Sequence, residues 1–272
     1  MTRDEKMQAI LQKKEYTAAD LVTIVELLRL PGGCPWDIEQ THASIRNDLI
    51  EETYEVIEAI DNNDPELLRE ELGDLLLQVA MHARMEEEEG RATFDEIAGD
   101  VCRKMIHRHP HVFGEVKVKD SGEVLANWEV IKSEEKKRET VTDKLRSIPR
   151  QLPALMRAAK VGKKASMMDF PDAQSVLLKV REETEEVAAA LSGEDRVALH
   201  EEIGDLLLTV ASLARKVGVD PERALVDATD KFIDRFSAIE ECALGLGEDL
   251  KDMSEQEKEI LWQKVKKNDK KC

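Results

Sequence analysis

The stretch Leu49-Ile50-Glu51-Glu52-Thr53-Tyr54-Glu55-Val56, continued by Glu70-Glu71-Leu72-Gly73-Asp74-Leu75-Leu76-Leu77, occurs twice in this chain. The second copy reads Val180-Arg181-Glu182-Glu183-Thr184-Glu185-Glu186-Val187 and continues to Glu201-Glu202-Ile203-Gly204-Asp205-Leu206-Leu207-Leu208. The copies align without a gap, and Asp64, Val79, Ala80 and Arg84 recur as Asp195, Val210, Ala211 and Arg215. A structural unit is therefore repeated. In each copy the EExxE and ExxD segments stand 20 residues apart, Glu51 to Glu71 and Glu182 to Glu202. That spacing predicts a helix, a short turn and a second helix.

On a helix, residues three and four apart share a face. Glu183 and Glu186 then lie together, Glu182 stacks a turn from Glu186, and the partner helix brings Glu202 and Asp205. Val180, Glu183 and Val187 follow one stripe, as do Leu49, Glu52 and Val56, so carboxylates fall on or beside the packed face. Several uncompensated carboxylates there repel one another and lose hydration, and they call for partner cations or a metal. An all-oxygen set suits Mg²⁺ or Mn²⁺ rather than zinc or copper. A single EExxE reads more simply as a solvated face, but two copies at the same spacing, each followed by an apolar ExxD helix, favour the metal.

These motifs, together with Gly33-Cys34-Pro35-Trp36-Asp37 and Arg108-His109-Pro110-His111-Val112-Phe113, closely resemble the MazG nucleoside triphosphate pyrophosphohydrolases in their two-domain bacterial form. The resemblance runs from about Leu21 to about Lys267. It implies an all-α fold of two tandem helical-bundle domains whose four-helix-bundle active sites are completed by dimerisation, hence a homodimer. It also implies Mg²⁺-dependent cleavage of nucleoside triphosphates between the α and β phosphates, giving the monophosphate and pyrophosphate. Glu183, Glu186, Glu202 and Asp205 should then hold Mg²⁺, while Lys179, Lys231, Arg235 and Trp262 contact the nucleotide. Lys132 and Arg108 are further candidates to reach it. The family surrounds its nucleotide with more cations than this, and before its second ExxD pair the chain offers only Arg196, Ala198 and His200.

The chain has 272 residues, 42% hydrophobic, 36% charged and 4% aromatic, a composition that fits a strongly solvated helical protein. A net charge of −18 argues against coating nucleic acid or an anionic membrane, though not against an anionic small molecule arriving with metal ions. Cys34, Cys102, Cys242 and Cys272 are scattered, with no CxxC and no zinc spacing, which fits a reducing cytosol. No apolar leader or membrane-length run is present, so a cytoplasmic enzyme is expected.

Reading along the chain, Thr17 to Leu30 predicts a first helix, stopped by Pro31-Gly32-Gly33. Cys34-Pro35-Trp36-Asp37 reads as a loop, its Trp36 either plugging the bundle end or contacting a base. Helices are expected over Thr41–Asn62, from Pro65 to about Glu89, over Phe94–His109 and from about Gly122 to Arg138. The segment 140–150 reads as a polar connection, and the inter-domain hinge is placed there. The second half repeats the scheme with helices over Pro153–Ala165, Asp172–Leu191, to about Val217 and from Pro221 to Gly245. A last helix opens on the Ser254/Glu257 capping box. Residues 17–115 are thus expected as one domain, 116–150 as an inter-domain helix and linker, and 151–272 as the second domain. The HRHPH tract reads as a domain-end motif, not a metal site.

The acidic sets match, so the surrounding cations decide between the halves. Lys179 lies one turn before Glu183, whereas Asp48 holds that place in the first half and adds repulsion. Lys104/Arg108 and Lys231/Arg235 form aligned cation pairs in the two halves, structural salt bridges or phosphate grips. The second half is expected as the main catalytic site. The first, with Glu52, Glu55, Glu71 and Asp74, is expected as weaker or structural. Glu182 is the candidate for orienting or deprotonating the attacking water. No P-loop and no covalent-nucleophile motif is present. Low aromatic content around the sites hints at loose base selection, and the resemblance implies ribo- and deoxyribonucleoside triphosphates of broad base range as substrates, as in nucleotide-pool house-cleaning. A di-iron bundle, a helical dimerisation module and a relative dedicated to one nucleotide remain as alternatives.

Overall fold

The computed structural model describes residues 1–135, 140–193 and 195–268. Among these, 14 α-helices and one 3₁₀ turn account for the regular structure, and there is no strand. The chain divides into two compact units, Met1–Lys132 and Ser133–Cys272. That division falls inside the segment 116–150.

The first unit opens with α1, Arg3–Leu11, which the sequence reading did not anticipate. Its apolar positions are few, and it is held by a Thr2/Glu5 capping box and by Lys6, whose ammonium lies 2.6 Å from Glu26. Helix α2, Ala18–Arg29, begins where Thr17 donates its N–H to Asp20 (2.9 Å) and Lys13 adds a 2.5 Å ion pair. The turn after it depends on glycine. Gly32 adopts φ +82°, and a Cβ on Gly33 would stand 2.2 Å from the Leu28 carbonyl oxygen.

Cys34-Pro35-Trp36-Asp37 is not a plain loop, because Pro35–Glu39 forms a short helix, α3. Proline at its first position has no N–H to leave unpaired. Nor does Trp36 plug the bundle end, for it is 60% exposed. Arg29 fixes this segment instead. Its buried guanidinium donates to the carbonyls of Asp37 (2.5 Å) and Gln40 (3.1 Å) and pairs with Glu88 at 2.8 Å.

Helix α4, Arg46–Asp61, starts later than expected, since Thr41 and Ser44 exchange side-chain and backbone hydrogen bonds in a turn that buries Ile45. Asn63, at φ +52°, and the Asp64 cap reverse the chain into α5, Pro65–Glu88, which lies along α4. The core joins Val25, Ile45, Ala80, Met81 and Met85, with Leu21, Leu77 and Phe94 against it. Helix α6, Phe94–Arg108, opens on a Thr93/Glu96 capping box, and Pro110–Phe113 forms the single turn α7. His109 bonds the Met105 carbonyl through Nδ1 (2.6 Å) and meets the Trp128 ring edge-on. Trp128 lies on α8, Ser121–Glu135; the residues 136–138 at the expected end of this helix lie outside the described residues.

The segment 140–150 is not only a connection: Thr140 and Asp143 form a capping box for α9, Val141–Arg146. Then come α10, Ala154–Lys164, the 3₁₀ turn Ser166–Met168, and α11, Ala173–Ser192. Helix α12, Arg196–Lys216, packs along α11. Helices α13, Pro221–Gly245, and α14, Glu255–Asn268, enclose Ile239, Ala243, Met253, Leu261 and Val265. Asp169 links the loop before α11 to the end of α12 by accepting from Arg215 (2.5 Å) and Lys216 (2.8 Å), which hold its carboxyl far below the usual range. Cys34 and Cys102 are free.

In the first unit His42 and His82 stack, with their Nδ1 atoms 2.7 Å apart, so one proton serves both rings. His42 Nε2 faces Glu86 at 2.9 Å, and Arg91 pairs with the same carboxylate at 2.6 Å. His82 Nε2 is buried without a partner. Burial, and then His42, lower the His82 pKa, with Glu86 opposing. The unfolded chain binds that proton first, near pH 6.5, so stability should be full above that pH and decline as pH falls through it. Urea unfolding at pH 7.5 and 5.5 checks this: the drop in midpoint should be smaller in His82→Gln than in the parent.

Candidate active site

The repeated acids are presented by two helical hairpins, α4–α5 in the first unit and α11–α12 in the second. In each, an aspartate caps the second helix and sets its start. Asp64 accepts from the N–H groups of Glu66 and Leu67 at 3.0 Å, and Asp195 from those of Val197 and Ala198 at 2.9 and 3.2 Å. Because both hairpins turn at matched points, the ExxD helix faces EExxE in the same register.

In the second unit, carboxylate oxygens of Glu183, Glu186 and Glu202 lie within 4.8 Å of one another. Glu52, Glu55 and Glu71 form the same trio in the first unit. Glu183 is the most enclosed, 5% exposed. The fourth acid of each set stands apart from its trio. Asp205 is exposed on α12, whereas Asp74 is half-buried and acts electrostatically on Glu52 and Glu71.

The two trios differ in what balances their charge. Lys179 Nζ lies 2.7 Å from Glu182, 2.9 Å from Glu183 and 3.8 Å from Glu186. Glu182, and then Glu183, hold the ammonium above its usual pKa. Burial raises the Glu186 carboxyl, Glu183 and Glu202 push the same way, and Lys179 opposes. Among the described residues, the first trio has no such lysine. Burial, then Asp74 and Glu55, raise Glu52 against a hydrogen bond from Gln78, while burial, then Glu55 and Glu70, raise Glu71.

The remaining candidates are spread over other elements. Lys231 is exposed and Arg235 half-buried on α13, which lies against α10 and α12. Trp262 on α14 approaches Phe232 with ring centres 5.5 Å apart, and Phe232 stacks on Phe236. These rings, with Ile239, Leu250, Lys258 and Glu259, line an open groove of about 300 Å³. Arg108 and Lys132 belong to the first unit. Arg108 is buried with its guanidinium 5.2 Å from the Trp128 ring centre, and Lys132 faces Glu129 at 3.9 Å. Glu182 is exposed beside the trio, and its carboxylate takes the shortest of the Lys179 contacts. Arg196 and His200 line a separate groove with Leu191 and Ile203 at the hairpin turn.

Sequence reasoning overlooked Phe232 and Phe236, whose spacing of four on α13 signals one face, and Gln78. Gln78 is a buried amide four residues after Asp74, matched in the repeat by buried Thr209.

A family model described as the MazG nucleotide pyrophosphohydrolase domain matches residues 40–113 and again residues 172–239, the two hairpins with the helix that follows each. The chain belongs to the MazG family. A nucleoside triphosphate pyrophosphohydrolase of Escherichia coli K12 is 43% identical over 254 residues, covering 92% of this chain and 97% of that protein. The nucleoside triphosphate pyrophosphohydrolase/pyrophosphatase MazG of Thermotoga maritima is 40% identical over 92% of this chain and 96% of its own length. The Bacillus subtilis protein YabN is 44% identical over 91% of this chain, which spans 51% of YabN. The chain is thus a nucleoside triphosphate pyrophosphohydrolase of the MazG family, an all-α enzyme with its domain in tandem. No described helix is long and apolar enough to cross a membrane.

The raised carboxyls of the first trio carry a stability consequence. An acid whose folded pKa lies above its unfolded one destabilises the fold once pH exceeds both values. At pH 7.5 with a chelator present, Glu71→Gln should therefore raise the thermal midpoint. Melting curves of both proteins in chelator test this.

Proposed function

We propose that the enzyme hydrolyses ribo- and deoxyribonucleoside triphosphates of broad base range in a Mg²⁺-dependent reaction, as a house-cleaning activity of the cytoplasm. The observation that carries this reading is the pair of three-glutamate clusters at aligned positions on matched hairpins. Their donors fit the ion: oxygen only, convergent within 4.8 Å, and under like-charge strain that a dication relieves. Mn²⁺ offers the same coordination chemistry.

In the second unit Glu183, Glu186 and Glu202 would hold Mg²⁺, with Asp205 completing the set on a modest rearrangement of its exposed side chain. The bound ion would polarise the α-phosphate and neutralise the leaving group. Water oxygen then bonds to the α-phosphorus as the bond to the bridging oxygen breaks, and pyrophosphate departs. The proton of the water passes to Glu182, next to the trio. Lys179, Lys231 and Arg235 contact the polyphosphate. Trp262, with Phe232 and Phe236 beside it, gives the base a flat apolar wall; stacking tolerates any base, which suits a broad range. Lys132 and Arg108 are secondary candidates for the nucleotide.

A homodimer is part of the proposal. Ile50, Tyr54, Ile57, Leu72, Leu76 and Val79 leave an apolar stripe exposed on the first hairpin, and Ile203, Leu207 and Val210 do the same on α12. Contiguous apolar surface of this kind marks an interface. Pairing would complete a four-helix bundle around each trio.

Pyrophosphate release from a panel of triphosphates, with and without Mg²⁺, tests the reaction. Glu202→Gln should lower the rate at least about 100-fold, and Glu71→Gln much less. Equal losses would show that both trios turn over, and no release from any triphosphate would sink the broad-range reading.

A further inference from the structure

The two trios are built alike, yet among the described residues only the second has a cation already among its acids. We propose that Lys179 is a resident counter-ion of the second trio which a divalent cation has to displace, so that metal loading hands the ammonium to the polyphosphate. The first trio, with Asp48 at that place, takes its metal without a competitor and more tightly. This rests on the metal-dependent reading above.

Geometry carries the argument. Lys179 Nζ contacts carboxylates of three residues, two of which, Glu183 and Glu186, belong to the trio. An ammonium and a dication drawing on the same carboxylates repel one another. Lysine is suited to yield, since its charge rides on a flexible four-carbon stem and can move several ångströms while α11 stays in place. Its side chain is 31% exposed, so a path to solvent and to a phosphate lies open. The aligned Asp48 is half-buried on α4 and adds a negative charge, and Gln78 gives Glu52 of the first trio only a neutral hydrogen bond.

Two consequences follow that the activity assignment alone does not give. The tighter metal site is the one less suited to catalysis, because it lacks a cation to pass to the substrate. At the second site metal and polyphosphate assist each other, because each removes what opposes the other: phosphate oxygens draw Lys179 away from the carboxylates that the ion takes. The same movement uncovers Glu182, whose carboxylate Lys179 holds at 2.7 Å, for its work on the water.

Mn²⁺ titration of the full chain, with free Mn²⁺ read by electron paramagnetic resonance, tests this without any turnover. The parent should show a tighter class removed by Glu71→Gln and a weaker class removed by Glu202→Gln. Lys179→Met should tighten the weaker class roughly fivefold, the scale set by losing a partly exposed ion pair. The transplant Asp48→Lys should weaken the tighter class by a similar factor. A role for Lys179 confined to holding the fold would leave Mn²⁺ binding unchanged or poorer. Unchanged or weaker binding in a folded Lys179→Met overturns the proposal; if that variant does not fold, an unchanged tighter class in Asp48→Lys does so. Failure of pyrophosphate release would refute the catalytic reading while leaving this titration to be judged separately.

Discussion

The structure depends on holding like-charged carboxylates together at the seam between two packed helices. Three like-charged glutamates within 4.8 Å of one another are costly alone, and a helical hairpin supplies the rigidity that prevents them from relaxing apart. Register is therefore the quantity under control. The aspartate caps at Asp64 and Asp195 set it at the turn. Around the first hairpin, buried Arg29 ties the ends of α2, α3 and α5 together, and Asp169 performs the equivalent service for α12 in the second unit. Each of these anchors is a charge-assisted hydrogen-bond cluster placed away from the trio, so the seam is braced without being neutralised.

Much of this arrangement is legible in the chain itself, because it is helical and repeated. Period-3.6 stripes, Pro65 and Pro221 at helix starts, and the capping box at Ser254 place the long helices to within a few residues. The elements that escaped were short. Helices α1, α3 and α9 have too few turns for a periodic stripe, and they are held by tertiary contacts or caps that look like ordinary loop chemistry. Thr41–Ile45 was absorbed into α4 for the same reason: its reciprocal Thr41/Ser44 bonds compete with the helix and are invisible to a hydrophobic pattern.

The candidate site divides in the same way. Spacing along single helices puts Glu183 with Glu186, and Glu52 with Glu55, and the repeat brings in Glu202 and Glu71. What spacing cannot resolve is which side of an exposed helix a short side chain favours; Asp205 and Asp74 share a sequence position but differ in burial. The partners of Lys179 were also beyond reach. A lysine four residues before a glutamate reads equally as a surface pair or as a phosphate ligand, and only three-dimensional distances reveal that it leans over three acids at once. Phe232 and Phe236 gain meaning only from α14, whose Trp262 lies 26 residues beyond Phe236.

The presence of both hairpins in one polypeptide has a genetic corollary. In an assembly of separate single-domain copies, one codon specifies every occurrence of a position, so a substitution that tunes one site alters all of them together. Here positions 48 and 179 are written independently. An aspartate at one and a lysine at the other can therefore coexist, and the two glutamate trios are free to drift toward different tasks while the packing that they share stays under common constraint.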